Sequence, residues 1–219
     1  GLIGPESPFE VVEKEVRGVS IRTFAQAPPS LREVWLASAA FADRDYLVYQ
    51  DERRTYADSH REVAALANWI RQQGIEPGDR VAIAMRNYPE WMLIYWACMT
   101  QGIGCVGMNA WWVEEEMAYG LTDASPKALF CDEERLARFK NISADFPDIQ
   151  VVGVRTSEAE GVMPYAEVIK TPGSLPECTV DPDADACIFY TSGTTGRPKG
   201  AQLTHLGCVS NIMNLAFFG

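Results

Sequence analysis

Apolar positions along this 219-residue chain recur with two different periods, and the way the periods alternate predicts the fold. Val63, Leu66, Ala67 and Ile70 share one face of a helix over residues 58–73, with Gly74 placed to close it. Val81–Met85 has no polar interruption, as expected of a strand covered on both faces. Pro89 then opens a strongly apolar helix to Gln101, at the one helical position where a missing N–H costs nothing. The pattern continues with strand 105–108, helix 113–122, strand 128–131, helix 133–140 and strand 151–154. Tyr46–Gln50 and Arg54–Tyr56 predict a hairpin across Asp51-Glu52. Strands that alternate with helices imply an α/β fold, a mostly parallel sheet flanked by helices on both faces through right-handed crossovers. Residues 171–185, rich in Pro, Asp and Ser, read as a loop, and the first thirty positions carry no clear pattern.

The chemistry concentrates where the periodicity breaks. Cys187–Tyr190 and Ala201–Thr204 read as short strands, and between them lies Thr191-Ser192-Gly193-Thr194-Thr195-Gly196-Arg197-Pro198-Lys199-Gly200. Glycines let backbone N–H groups approach an anion, short hydroxyls add donors without bulk, and Lys199 adds a compact positive charge. Clusters of Gly, Ser, Thr and Pro also build ordinary surface turns, but the density of donors beside a lysine favours a polyphosphate. The segment differs from the P-loop of nucleoside triphosphatases, because Pro198 precedes the lysine and Gly200 follows it. Strand, loop and strand imply a hairpin that holds phosphates with little help from a helix dipole. A helix follows, with Thr204 as N-cap and Leu206, Val209, Met213 and Ala216 on its apolar face.

Tyr190 to Gly200, followed by Leu203-Thr204-His205, resembles the phosphate-binding signature of the adenylate-forming superfamily, which includes acyl-CoA synthetases, nonribosomal peptide adenylation domains and firefly luciferases. Weaker similarity runs through Leu47–Tyr56, Gly78–Ile83 and Gly102–Val106, so the resemblance covers residues 30 to 219. It implies an N-terminal extension over residues 1–30. Residues 31–219 would then be the first part of a large AMP-binding domain, whose remainder and small C-terminal domain lie downstream in a longer enzyme. The implied reaction is ATP-dependent activation of a carboxylic acid, with a fatty acid favoured, to an acyl-adenylate, followed by transfer to coenzyme A. By the same resemblance Thr191, Ser192, Gly193, Thr194, Thr195, Gly196 and Lys199 grip the β- and γ-phosphates of ATP. Thr194 and Thr195 are the foremost hydroxyl contacts, and Lys199 is the charge partner and catalytic candidate. ATP, Mg²⁺ and coenzyme A are implied, no metal ligand is assigned among these residues, and a homodimer is left open. The fragment alone would lack half the nucleotide site and full turnover. Two other readings stand beside this one: an adenylation domain that loads a carrier-protein thiol, and a non-enzymatic nucleotide-binding module.

Composition narrows the partners. Nineteen Lys and Arg against thirty Asp and Glu give a net charge of −11, which disfavours nucleic acid and anionic membrane surfaces. A nucleotide must therefore rely on local charge at the loop, where Arg197 reads as a solvated surface residue. The six cysteines, at 98, 105, 131, 178, 187 and 208, form no Cys-x-x-Cys pair and read as small core residues. No signal-peptide pattern is read, and the expected compartment is the reducing cytoplasm. The longest apolar stretch, Trp91–Met99, is too short for an integral membrane segment. There is no Gly-x-Ser-x-Gly elbow for a serine hydrolase. His60 reads as solvated, His205 as a helix-start residue, and Trp111-Trp112 as packing residues with an acyl tunnel as the alternative use. Glu114-Glu115-Glu116 suits a helix first turn.

Overall fold

The computed structural model describes residues 4–191 and 197–218. The region without a legible pattern holds a hairpin, β1 (Val11–Val16) and β2 (Val19–Phe24), and a short helix α1 (Leu31–Ala37). Its turn is Arg17-Gly18, both at positive φ (49° and 78°), the geometry whose twist matches that of paired strands. The hairpin is anchored to the far end of the chain. Arg17 donates to the Asp183 carbonyl at 2.6 Å and to the Asp185 carboxylate at 3.0 Å, and Phe9 packs edge-on against Phe217.

A second hairpin, β3 (Asp45–Tyr49) and β4 (Glu52–Thr55), turns at Gln50-Asp51 rather than at Asp51-Glu52, because Tyr49 pairs with Glu52. Helix α2 (Tyr56–Gln72) starts two residues earlier than its periodicity suggests. The cause is a capping box: Thr55 Oγ1 accepts from Asp58 N, and Asp58 accepts in return from Thr55 N, both at 3.1 Å. Val63, Leu66, Ala67 and Ile70 are all buried, as their shared face requires.

The centre of the molecule alternates as predicted: β5 (Arg80–Ala84), α3 (Pro89–Thr100), β6 (Gly104–Gly107), α4 (Glu114–Ala124), β7 (Ala128–Asp132), α5 (Glu133–Lys140) and β8 (Gln150–Val154). Two small elements missed by the periodicity follow, β9 (Met163–Pro164) and α6 (Tyr165–Val168), both shorter than the repeat that would reveal them. The chain then returns across the molecule to β10 (Asp185–Thr191), β11 (Lys199–Thr204) and α7 (His205–Phe218).

Seven strands form one sheet in the order β11-β10-β6-β5-β7-β8-β9, parallel except for the antiparallel edge strand β11. Successive strand residues feed two cores. Val81, Ile83 and Phe130 join α1, α2, α3 and α7 on one face, whereas Ala82, Ala84 and Leu129 join α4 and α5 on the other. The crossover through α3 moves one way along the sheet and that through α4 moves back. Crossovers of one hand that run in opposite directions must lie on opposite faces, so the chain parts above β5 and β6, where ligands of open α/β sheets bind.

Helix α7 is capped as expected, with Gly207 N donating to Thr204 Oγ1 at 3.0 Å, and Leu206 and Val209 are buried. Ala216 departs from expectation: it is exposed, because only the first two turns of α7 pack on the sheet. Cys98, Cys105, Cys131 and Cys187 are buried, Cys178 and Cys208 half-buried, and all six are free thiols. Among the described residues no helix is long and apolar enough to cross a membrane.

Candidate functional site

Strands β10 and β11 pair so that Thr191 faces Lys199, Tyr190 faces Gly200 and Phe189 faces Ala201. The strands that flank the glycine- and threonine-rich segment thus form an antiparallel hairpin, as predicted. Because β10 runs parallel to β6, the Thr191 end of that hairpin lies at the carboxyl edge of the sheet. Thr191 and Lys199 meet at its mouth, both exposed, with Thr191 Oγ1 donating to the Lys199 carbonyl at 3.4 Å. Ser192, Gly193, Thr194, Thr195 and Gly196 lie outside the described residues. The N-terminus of α7 sits at the other end of β11, six residues and roughly 20 Å away. Any anion at the turn is therefore beyond the reach of that helix dipole, whose influence fades within a turn.

The hairpin is braced from the α4 side. The Tyr190 hydroxyl donates to Asp123 at 2.7 Å, and its ring meets Trp112 edge-on at 5.1 Å. Trp112 is buried and lies directly on Gly120 of α4, where a Cβ would come within 2.6 Å of the indole. Gly120→Ala is accordingly expected to cost about 1–3 kcal/mol, read from the urea midpoint, because the buried ring or the helix must shift to admit the methyl. A cost below 0.5 kcal/mol by the same measurement would mean that the indole is loosely held.

Two cavities flank the hairpin. One, of about 390 Å³, runs along its α4 side and is lined by Lys199, Gln202, Tyr190, Tyr119, Asp123 and Arg80. The other, of about 270 Å³, lies between the hairpin and the loop after β6, where Thr191 and Pro198 face Asn109, Trp111 and Glu116. Arg197 is exposed as expected, but its guanidinium also sits 5.5 Å from the centre of the Tyr119 ring. Trp111 and Trp112 divide their roles. Trp112 is core, while Trp111 is 60% exposed with Arg86 stacked on its face at 3.8 Å. Tyr119 and Asp123 carry no motif in the sequence, and Arg80 lies in the similar stretch 78–83 without marking a site there; they meet Lys199 only through the sheet order.

A larger crevice of about 510 Å³ opens beyond the ends of β5, β7 and β8. Arg86, Arg135 and Arg155 line it together with Asp132, Glu133 and Glu134, so its charge is mixed rather than cationic. Asp132 caps α5 by accepting from Arg135 N and also accepts from Arg86 N at 2.9 Å. Among the described residues no three His, Cys, Asp or Glu side chains converge into a group that could hold a metal ion.

Both histidines are structural. His205 is fully buried, and its Nδ1 accepts from Leu31 N at 3.3 Å, joining the starts of α7 and α1. Burial pushes its pKa down to about 4. His60, expected in solvent, instead stacks on Trp35 at 4.2 Å and bonds Ser38 Oγ through Nε2. Trp35 and Ser38, distant in sequence, cover its ring, and burial lowers its pKa.

The structure resembles the crystal structure of the anthranilate CoA ligase AuaEII in complex with anthranoyl-AMP, with a TM-score of 0.77 over 81% of this chain and 35% of that one. At 22% identity this likeness is one of fold. In sequence the chain is 30% identical over 197 residues to 2-succinylbenzoate–CoA ligase of Bacillus pumilus, covering 83% of this chain and 36% of that protein. It is 31% identical over 186 residues to the medium-chain fatty-acid–CoA ligase of Escherichia coli, covering 80% and 33%. The chain thus spans about a third of the length of these relatives. A family model described as AMP-binding enzyme matches residues 34–218, from the first helix through the whole sheet and the hairpin, and the chain belongs to that family.

Proposed function

We propose that the full-length protein activates a carboxylic acid, with a fatty acid as the favoured class, and transfers the acyl group to coenzyme A. In the first step a carboxylate oxygen attacks the α-phosphorus of ATP, a new P–O bond forms, the bond to the β-phosphate breaks and pyrophosphate leaves. A carboxylate is already ionised near neutral pH, so no general base is needed. The barrier is that of one anion approaching another, and the protein contributes positioning and charge neutralisation. Thr191, Ser192, Gly193, Thr194, Thr195, Gly196 and Lys199 hold the β- and γ-phosphates, with the Lys199 ammonium as the point charge on the leaving group. Mg²⁺ would supply further charge neutralisation on the phosphates; no ligand set for it is found among the described residues.

The observation that supports this reading is the pairing of Thr191 with Lys199, which sets a hydroxyl-bearing residue and a lysine opposite each other at the two ends of the glycine- and threonine-rich segment. The named activities of the relatives support it, since each is a CoA ligase, although their acids differ from one another. The test is carboxylate-dependent ATP–pyrophosphate exchange by the full-length protein across acids of increasing chain length. Lys199→Ala is expected to lower exchange by about 10²–10³-fold, the usual cost of one lost charge-stabilising donor, and Lys199→Arg by less. Unchanged exchange in Lys199→Ala would refute the assignment of the loop. Discharge of the acyl-adenylate by coenzyme A, rather than by a carrier-protein thiol, distinguishes the two classes of acceptor.

A further inference from the structure

The end of the β10–β11 hairpin that carries Lys199 reaches past the sheet. Pairing of β10 with β6 stops at Phe189 and Gly107, whereas pairing with β11 continues through Tyr190–Gly200 to Thr191–Lys199. Over its last two register pairs the hairpin is therefore a two-stranded ribbon, which twists more readily than a wider sheet and has little stability of its own. Its direction must be fixed by side chains.

Helix α4 supplies them from one ridge. Tyr119 and Asp123 are four residues apart on α4, so they lie on the same face, and both line the cavity of Lys199. Each takes one arm of the ribbon. On the β10 arm the Tyr190 hydroxyl donates to Asp123 at 2.7 Å and lies 3.4 Å from the Gly120 carbonyl. On the other arm the Arg197 guanidinium, two residues before Lys199, sits 5.5 Å from the centre of the Tyr119 ring. Tyr190 carries the hold across the hairpin. Its register partner is Gly200, where a Cβ would stand 3.5 Å from the Tyr190 ring, so the ring rests against the β11 backbone next to Lys199.

We propose that Tyr119, Asp123 and Tyr190 are positioning residues for ATP, a brace from α4 that fixes both arms of the hairpin and thereby the place of the Lys199 ammonium. This rests on the function proposed above, in which Lys199 holds the β- and γ-phosphates. A charge aimed at a leaving group acts through its placement, and a shift of about 1 Å is enough to weaken it. The brace acts on the ATP side of the reaction alone.

The experiment measures carboxylate-dependent ATP–pyrophosphate exchange by the full-length protein, with the KM for ATP and the KM for the acid determined separately. Tyr190→Phe and Asp123→Ala are each expected to lower kcat/KM for ATP by about three- to tenfold, the usual worth of one hydrogen bond, with the KM for the acid unchanged. The double variant should fall no further than the worse single one, because both remove the same bond. Asp123→Asn, which keeps an acceptor, should lose less than Asp123→Ala. Tyr119→Leu is expected to cost about two- to fivefold on the same constant, and Tyr119→Phe, which keeps the ring under Arg197, nothing. Lys199→Ala is run beside them. If it lowers exchange while Tyr190→Phe and Asp123→Ala leave kcat/KM for ATP unchanged, the brace is overturned and the assignment of Lys199 stands. Equal losses on ATP and on the acid, or additive losses in the double variant, would also overturn the brace, since they report general loosening of the fold. If Lys199→Ala itself has no effect, both readings fall together.

Discussion

Replacing Glu90 by alanine is expected to destabilise the fold by about 2–4 kcal/mol, the cost of several lost hydrogen bonds to charged groups, read as a lower urea midpoint of the full chain. Glu90 lies in the first turn of α3 and is only 5% exposed. It accepts from Arg54 Nη2 at 3.0 Å, and from Arg155 Nε at 3.1 Å and Nη2 at 3.0 Å. One carboxylate thereby joins the β3–β4 hairpin, α3 and the turn that follows β8. Each arginine has a second carboxylate, Glu62 for Arg54 and Glu52 for Arg155, and Glu62 also accepts from the Tyr165 hydroxyl. Removal of Glu90 leaves Arg54 and Arg155 with one close carboxylate each, Glu62 and Glu52, so the cost comes from the three charge-assisted hydrogen bonds that Glu90 accepted and that the guanidiniums lose in a half-buried site. Glu90→Gln keeps an acceptor and loses less. A loss under 1 kcal/mol in the alanine variant would mean that apolar packing alone holds the hairpin.

The second large effect depends on pH. His205 titrates near 6.5 when unfolded, but burial holds it down to about 4 in the fold, with Glu33 and Asp181 opposing weakly. Above pH 6.5 the ring is neutral in both states and costs nothing. As pH falls from 6.5 towards 4, the unfolded chain gains a proton that the folded one refuses, so stability is lost across that window and levels off below it. The gap amounts to about 3 kcal/mol. Denaturation curves at pH 7 and pH 4 should therefore show the wild type losing about 3 kcal/mol more than His205→Gln, a comparison that cancels the carboxylates titrating in the same range. Equal losses in the two proteins would show that His205 takes up its proton without unfolding.

The elements that could be read in advance are those whose residues see a repeating environment. Val63, Leu66, Ala67 and Ile70 declare α2 because each contacts the same core, and Val81–Met85 declares β5 because both of its faces are covered. The β10–β11 hairpin was legible for a different reason: glycines and hydroxyls fill one contiguous stretch, and it is flanked by one apolar strand and one short alternating strand. The β1–β2 hairpin was not, since its faces are largely exposed and only the Arg17-Gly18 turn marks it. His60 was misread because a local window of polar residues says nothing about Trp35, which arrives from another helix.

Alone, the order of residues determined the α/β class, the boundaries of most helices and strands, and the hairpin that flanks the glycine- and threonine-rich segment, since each follows from contacts made within a few positions or from one short motif. Tertiary structure decided which strands are neighbours, and so which distant groups meet. Arg80 and Asp123 line the cavity of Lys199, and Glu90 gathers Arg54 and Arg155, through pairings that no periodicity encodes. Strand order is chosen by the summed burial of two cores and by the hand of the crossovers, quantities that exist only once the whole chain is folded.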